Sequence, residues 1–296
     1  LLNGWGVRPR DWQIGASVQQ QVLPRVSVEI GYLKRWLQNF TSTDNLAVTS
    51  NDFTPFSITA PVDPRLPDGG GYSVGTLYNV VASGFGRVSN NITRAENFGK
   101  QYQSFHGMLL SFSARIRNGL TLQGGVNSGT TTTDSCEIRG ALPETNPTNP
   151  YCHNAPGWVT GMRTVGAYTV PKIDILLAGT FRSDQGAPLQ ANYNVPVSVI
   201  SEALGRPANI AGTTQSINLI SPGQVWGDRI NEIDLRVAKV LRFGRTRTNV
   251  GVDVFNLINS NKTLTYNQTY SPTGTWLTPQ SVLSPRFVKV RAQIDF

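Results

Sequence analysis

Few residues in this chain are of a type that does chemistry. There are two histidines, His106 and His153, and two cysteines, Cys136 and Cys152. No H-E-x-x-H, G-x-S-x-G or Cys-x-x-Cys run accompanies them. His106 opens an alternating segment, and catalysis there would demand a nucleophile, base and orienting group in mutual reach, which the sequence does not offer. A Cys152–His153 nucleophile would need a free thiol with a lowered pKa. Asp134, Glu137 and Glu144 lie near the cysteines but lack the regular spacing of a cation loop. Gly69-Gly70-Gly71 precedes no helical pattern, so it is not a phosphate cradle. The expectation is no enzyme, no metal and no cofactor.

The cysteines flank residues 137–151, a polar stretch carrying Pro143, Pro147 and Pro150. Two cysteines in such a loop suggest a disulfide formed in an oxidising compartment. Closing a loop of this size is worth about 3 kcal/mol of denatured-state entropy. The alternative is two free thiols.

Composition narrows the partners. The net charge is +8, yet only 15% of residues are charged, and glycine numbers 29. The densest basic run, Arg236 to Arg247, reads as a strand end and tight turn, not as a nucleic-acid patch with interleaved aromatics. No window holds eighteen apolar residues, so no transmembrane helix is expected. A membrane barrel is still open, because its strands need only about ten alternating residues each. Leu1-Leu2-Asn3-Gly4 does not open a signal peptide.

The elements that must position these residues are strands. Residues 285–296 alternate strictly: Val288, Val290, Ala292, Ile294 and Phe296 share one face, and Phe287, Lys289, Arg291, Gln293 and Asp295 the other. The same grammar recurs at 11–22 and 26–36, at 106–116 and 120–126, at 162–170 and 173–181, and at 232–241 and 249–256. Within pairs the links are short: 23–25, Asn118-Gly119, 171–172 and 243–247. Between pairs they are long: about 37–104, 130–160, 183–229 and 259–284. Short turns at one end and long loops at the other describe an antiparallel up-and-down transmembrane β-barrel with periplasmic turns and extracellular loops. Nine strands is an odd number, and a lipid-facing open edge is not tolerated. The expectation is therefore a portion of a larger barrel.

Several stretches carry a family resemblance. They are Asn3-Gly4-Trp5-Gly6-Val7-Arg8-Pro9 leading into Trp12-Gln13, then Val28-Glu29-Ile30-Gly31-Tyr32 and Asp44-Asn45-Leu46. Asp63-Pro64-Arg65-Leu66-Pro67, Asn118-Gly119-Leu120-Thr121-Leu122-Gln123 and Asp253-Val254-Phe255-Asn256-Leu257-Ile258-Asn259 belong with them, as does the final strand. Together these resemble the C-terminal barrel region of TonB-dependent outer-membrane receptors, in particular the Oar-like group that carries a carboxypeptidase-regulatory-like domain. The resemblance implies an outer-membrane location and a barrel of about 22 strands around a plug. It also implies energy from TonB, ExbB and ExbD and transport of a large extracellular ligand. The whole of 1–296 would then be the C-terminal part of the barrel, with plug and N-terminal domain absent. Phe296, Ile294, Ala292 and Val290 would be the signal read by the barrel-assembly machinery.

On that frame, Trp12, Trp36, Trp158 and Trp226 are expected in the aromatic girdle at the bilayer surface. Tyr151, Tyr193 and Trp276 are candidates for ligand contact in the loops. Lumen-side Asp234, Arg236, Asp253, Lys289, Arg291 and Asp295 could engage a plug or pair across strands. A soluble secreted β-sheet module that binds carbohydrate or a surface is the competing function. It requires the apolar faces to pack on each other.

Overall fold

A computed structural model describes residues 7–116, 119–243 and 246–295. Residues 1–6, Asn118 of the expected Asn-Gly turn, Gly244 and Arg245 of the expected 243–247 turn, and Phe296 lie outside the described residues.

Among the described residues nine long strands form one antiparallel sheet, paired in chain order: β1 (Arg10–Leu23), β2 (Val26–Gln38), β3 (Tyr102–Ile116), β4 (Leu120–Asp134), β5 (Val159–Val170), β6 (Ile175–Asp184), β7 (Ile230–Phe243), β8 (Thr246–Phe255) and β9 (Phe287–Asp295), with the two-residue strand His153–Asn154 added beside the end of β4. This is the expected up-and-down order. The connections alternate in length as expected too: short links of 24–25, 117–119, 171–174 and 244–245 between strands, and long loops at 39–101, 135–158, 185–229 and 256–286. Among the described residues, β1 pairs only with β2 and β9 only with β8.

Register explains why alternation was the dominant signal. Val18, Ile30, Leu110, Val126 and Met162 are successive cross-strand partners on one face. Leu177, Val237, Val252 and Val290 continue the same face across β6 to β9. On the opposite face Gln19, Glu29, Ser111, Gly125, Arg163, Arg182 and Glu232 form one unbroken row. That polar face is concave: a trough of about 790 Å³ runs across it from Gln19 in β1 to Asp234 in β7. The apolar face is bare. Val18, Ile30 and Val290 are 72%, 62% and 74% exposed. A sandwich would cover such a face with a second sheet.

The hydrophobic core lies instead among the long loops. Phe56, Ile58 and Leu77 from 39–101, Ile200, Ile217, Leu219 and Ile220 from 185–229, and Tyr270 and Trp276 from 256–286 are buried together. Each such side chain contributes about 1.5–3 kcal/mol by leaving water. Short strands frame this core: Phe53–Thr59 pairs with Ser73–Val80, and Asn192–Pro196 lies between Thr214–Asn218 and Thr269–Tyr270. Helix α2 (Val197–Leu204) packs Ile200 into it. A smaller cluster of Ala95, Ile138 and Leu142 joins loop 39–101 to helix α1 (Cys136–Ala141).

Three expectations change in detail. The loops are folded, not merely polar. β4 runs past the alternating 120–126 through Asn127-Ser128-Gly129 and four threonines to Asp134. β6 begins at Ile175 instead of Ile173, because Lys172 and Asp174 take positive φ in the turn.

Candidate functional site

Arginines and buried aromatics tie the four loops into one canopy above the end of the sheet. Arg65 binds Asp63 with Nη2 at 2.6 Å and donates to the carbonyls of Ser271 and Pro272, both at 3.0 Å. Its guanidinium lies 5.4 Å from the Trp276 ring. Tyr270 completes the knot, donating its hydroxyl to Asp63 Oδ2 at 3.0 Å. The Arg65 hydrogen bonds hold the Asp63 carboxyl well below the usual carboxylate range, outweighing its burial. Burial, with Asp63 behind it, pushes the Tyr270 phenol up to about 12. The Asp-Pro-Arg-Leu-Pro stretch is thus a staple between loops 39–101 and 256–286.

Arg206 does the same for loops 185–229 and 39–101. It donates to Asn79 Oδ1 at 3.0 Å, to the Asn79 carbonyl at 2.9 Å and to Thr54 Oγ1 at 3.0 Å. Asn45 is a third knot: its Oδ1 accepts from Ser89 N at 2.7 Å and its Nδ2 donates to the Arg87 carbonyl at 2.8 Å. Asn256 is a fourth. It is fully buried with φ 49°, and it caps Ser260 and Ser284 carbonyls through Nδ2 while Oδ1 accepts from Ser260 N, each at 2.8 Å.

The residues singled out from sequence divide between sheet and canopy. Cys136 and Cys152 are bonded to each other, and His153 Nδ1 pairs with Asp134 Oδ2 at 2.8 Å beside them. The sulfur of Cys152 is therefore occupied. His106 packs edge-on against Trp158, centroids 5.1 Å apart. Trp12 and Trp36 face each other across β1 and β2 near the long-loop end of the sheet, and Trp12 and Trp158 are exposed. Trp226 sits apart from these three: it bridges Pro188 and donates its indole N–H to the Gly223 carbonyl within loop 185–229.

Of the three aromatics expected at a ligand, Trp276 is buried and Tyr151 and Tyr193 are half-buried. Trp276 is 4% exposed and donates to the Gln190 carbonyl at 2.9 Å. Tyr193 meets Tyr270 edge-on at 5.7 Å. Burial pushes the Tyr151 phenol up, and Tyr72 adds to the shift. On the sheet's concave face Arg236 grips Asp253 at 2.6 and 2.9 Å, and Asp253 faces Lys289 on β9. Ion pairs also link Arg163 and Arg182 to Asp184. Among the described residues no three His, Cys, Asp or Glu side chains gather as metal ligands.

The canopy residues Arg139, Arg206, Asn79 and Ile200 carried no flag in the sequence. Phe56-x-Ile58-x-Ala60 and Ile217-x-Leu219 do alternate, and that was the available sign of a core within the loops.

With this geometry in view the sheet can be compared with solved structures. Its fold is similar to part of an outer-membrane β-barrel. The crystal structure of the outer membrane transporter YddB from Escherichia coli superposes with a TM-score of 0.51 at 11% identity, over 97% of this chain. The chain spans 33% of that transporter's length. At this identity the likeness is one of fold. No protein-family model matches the chain, and no curated protein matches it in sequence.

Proposed function

We propose that this chain is the C-terminal segment of a TonB-dependent outer-membrane receptor. The observation that carries the reading is the bare apolar face that runs across all nine strands of a single-layer sheet, backed by a polar concave face. In water such a face is an aggregation liability. In a bilayer it is the outside of a barrel, and the polar face lines the lumen. The outer strands β1 and β9 then pair with strands elsewhere in a longer chain, which also supplies the plug. The canopy lies on the extracellular side and captures the ligand. TonB, ExbB and ExbD act through the plug, and the barrel-assembly machinery inserts the protein through the last strand. The reading assigns no catalytic role.

The test is the mass and detergent dependence of the native polypeptide, with ligand uptake compared between cells that have and lack TonB. A chain far above 32.3 kDa, soluble only in detergent and importing only with TonB, is the expected result. A 32.3 kDa monomer soluble without detergent would overturn the barrel, and uptake indifferent to TonB would overturn the energy source.

A further inference from the structure

We infer that the canopy holds a binding pocket for an acidic sugar, built around Arg139. A cavity of about 500 Å³ opens between loop 39–101 and the disulfide-closed loop 135–158, and Ser42, Asn45, Asn90, Gln101, Arg139 and Glu144 lie on its wall. A volume in this range suits a mono- or disaccharide. Its lining is dominated by hydroxyl and amide side chains, the groups that exchange hydrogen bonds with a polyol.

Arg139 is the anomaly that points to an anion. It is only 6% exposed, yet among the described residues no carboxylate pairs with it. Nε donates to the Asn146 carbonyl at 3.1 Å and Nη2 to the Thr76 carbonyl, and the guanidinium covers the Tyr78 ring at 4.9 Å. Among the described residues Nη1 has no acceptor. Buried charges are ordinarily paired, since desolvation is otherwise uncompensated. A fixed, planar guanidinium with donors to spare is the standard receptor for a carboxylate.

Glu144 decides against a bare anion. It shares the wall, accepts the Asn45 N–H at 3.3 Å and makes no ion pair with Arg139. A small anion would leave it facing a second negative charge, and would leave most of the cavity empty. A sugar acid satisfies both ends: its carboxylate meets Arg139 and its hydroxyls donate to Glu144. Helix α1 carries Arg139 and begins at Cys136, so the disulfide anchors the start of the helix, and the Asn146 and Thr76 carbonyls hold the guanidinium.

The inference rests on the reading of the canopy as the ligand-capturing surface, but its test needs no transport. The full-length protein, purified in detergent, is titrated calorimetrically with glucuronate, glucose and acetate. Saturable glucuronate binding, at least tenfold tighter than either control, is expected. Arg139→Gln should lose at least tenfold. Ser42→Trp, which fills the cavity and leaves every Arg139 hydrogen bond in place, should lose as much while the canopy stays folded. No glucuronate binding, equal binding of glucose or acetate, or undiminished binding by Ser42→Trp would overturn the pocket. TonB-independent uptake would overturn the transport reading and leave these binding results standing.

Discussion

At the scale of single residues, the motifs that carry the family resemblance turn out to be backbone devices. Asn256 ends β8 in the left-handed region, where asparagine is tolerated and most residues cost roughly 1–2 kcal/mol. Its amide also satisfies two carbonyls and one N–H. Asn256→Ala should destabilise the 256–286 loop by about 2–4 kcal/mol, since strain adds to unpaired polar groups. Asn256→Gly relieves the strain but not the lost bonds, so it should fall between alanine and wild type. Protease cleavage rates within 256–286 rank the three, and an alanine variant as resistant as wild type would refute the role. Asn259 repeats the pattern with φ 51° and an Oδ1 that accepts Arg286 N. The spacing of these asparagines was visible in the sequence. Their reason was not, because positive φ leaves no mark on composition.

The Asp63–Arg65–Tyr270 staple predicts how the canopy responds to pH. Asp63 titrates below its ordinary value when folded, so its contribution is complete above about pH 4 and fades as pH falls through its lowered pKa. Tyr270 behaves oppositely in direction. Its folded value of about 12 exceeds the unfolded 10.0, so its contribution is complete below pH 10 and is lost between 10 and 12. Trp276 lies 5.1 Å from the Tyr270 ring and reports on both limbs by fluorescence. Asp63→Asn should remove the acid limb and Tyr270→Phe the alkaline one. If neither variant changes its limb, the staple does not govern canopy stability.

At the scale of elements, legibility followed burial. A strand wet on one side and apolar on the other alternates, so all nine were readable, down to their pairing order. The upper half of β4 was not, because Asn127 to Asp134 stands above the apolar belt and has polar residues on both faces. The folded loops were missed for a different reason. Their core is assembled from three distant segments that contribute six, six and two buried residues, spaced too irregularly along each loop to show a period alone. Hence Trp276, which looks in sequence like an exposed loop aromatic, lies in this core, and the half-buried Tyr193 packs against it. Loop 135–158 has little of that core and depends on its crosslink. Replacing Cys136 and Cys152 by serine should cost about 3 kcal/mol by the chain-entropy estimate. The loss should appear as faster hydrogen exchange in 135–158, with β1 to β9 unchanged. Equal protection in the variant would show that Arg139 and the Ile138 cluster suffice without the disulfide.

At the scale of the whole molecule, one substitution distinguishes a bilayer from water as the medium around the sheet. Val290 is central in β9, opposite Val252, and 74% exposed. In a water-soluble module an arginine there touches only solvent and changes stability by less than about 0.5 kcal/mol. On the outside of a barrel near the bilayer centre it costs about 2–4 kcal/mol, falling toward zero at the interfaces. Arg291 already occupies the next position, facing the concave side beside Gly251, so β9 itself accommodates the residue type. Val290→Arg should therefore impair insertion and folding into vesicles, while Lys289→Arg on the polar face should be neutral. Trp12→Arg, near the long-loop end and paired with Trp36, should cost less than Val290→Arg because depth sets the penalty. Folding free energies into lipid vesicles, measured for the three variants, give that ranking directly. Equal penalties at Val290 and Lys289 would mean that the apolar face does not meet lipid.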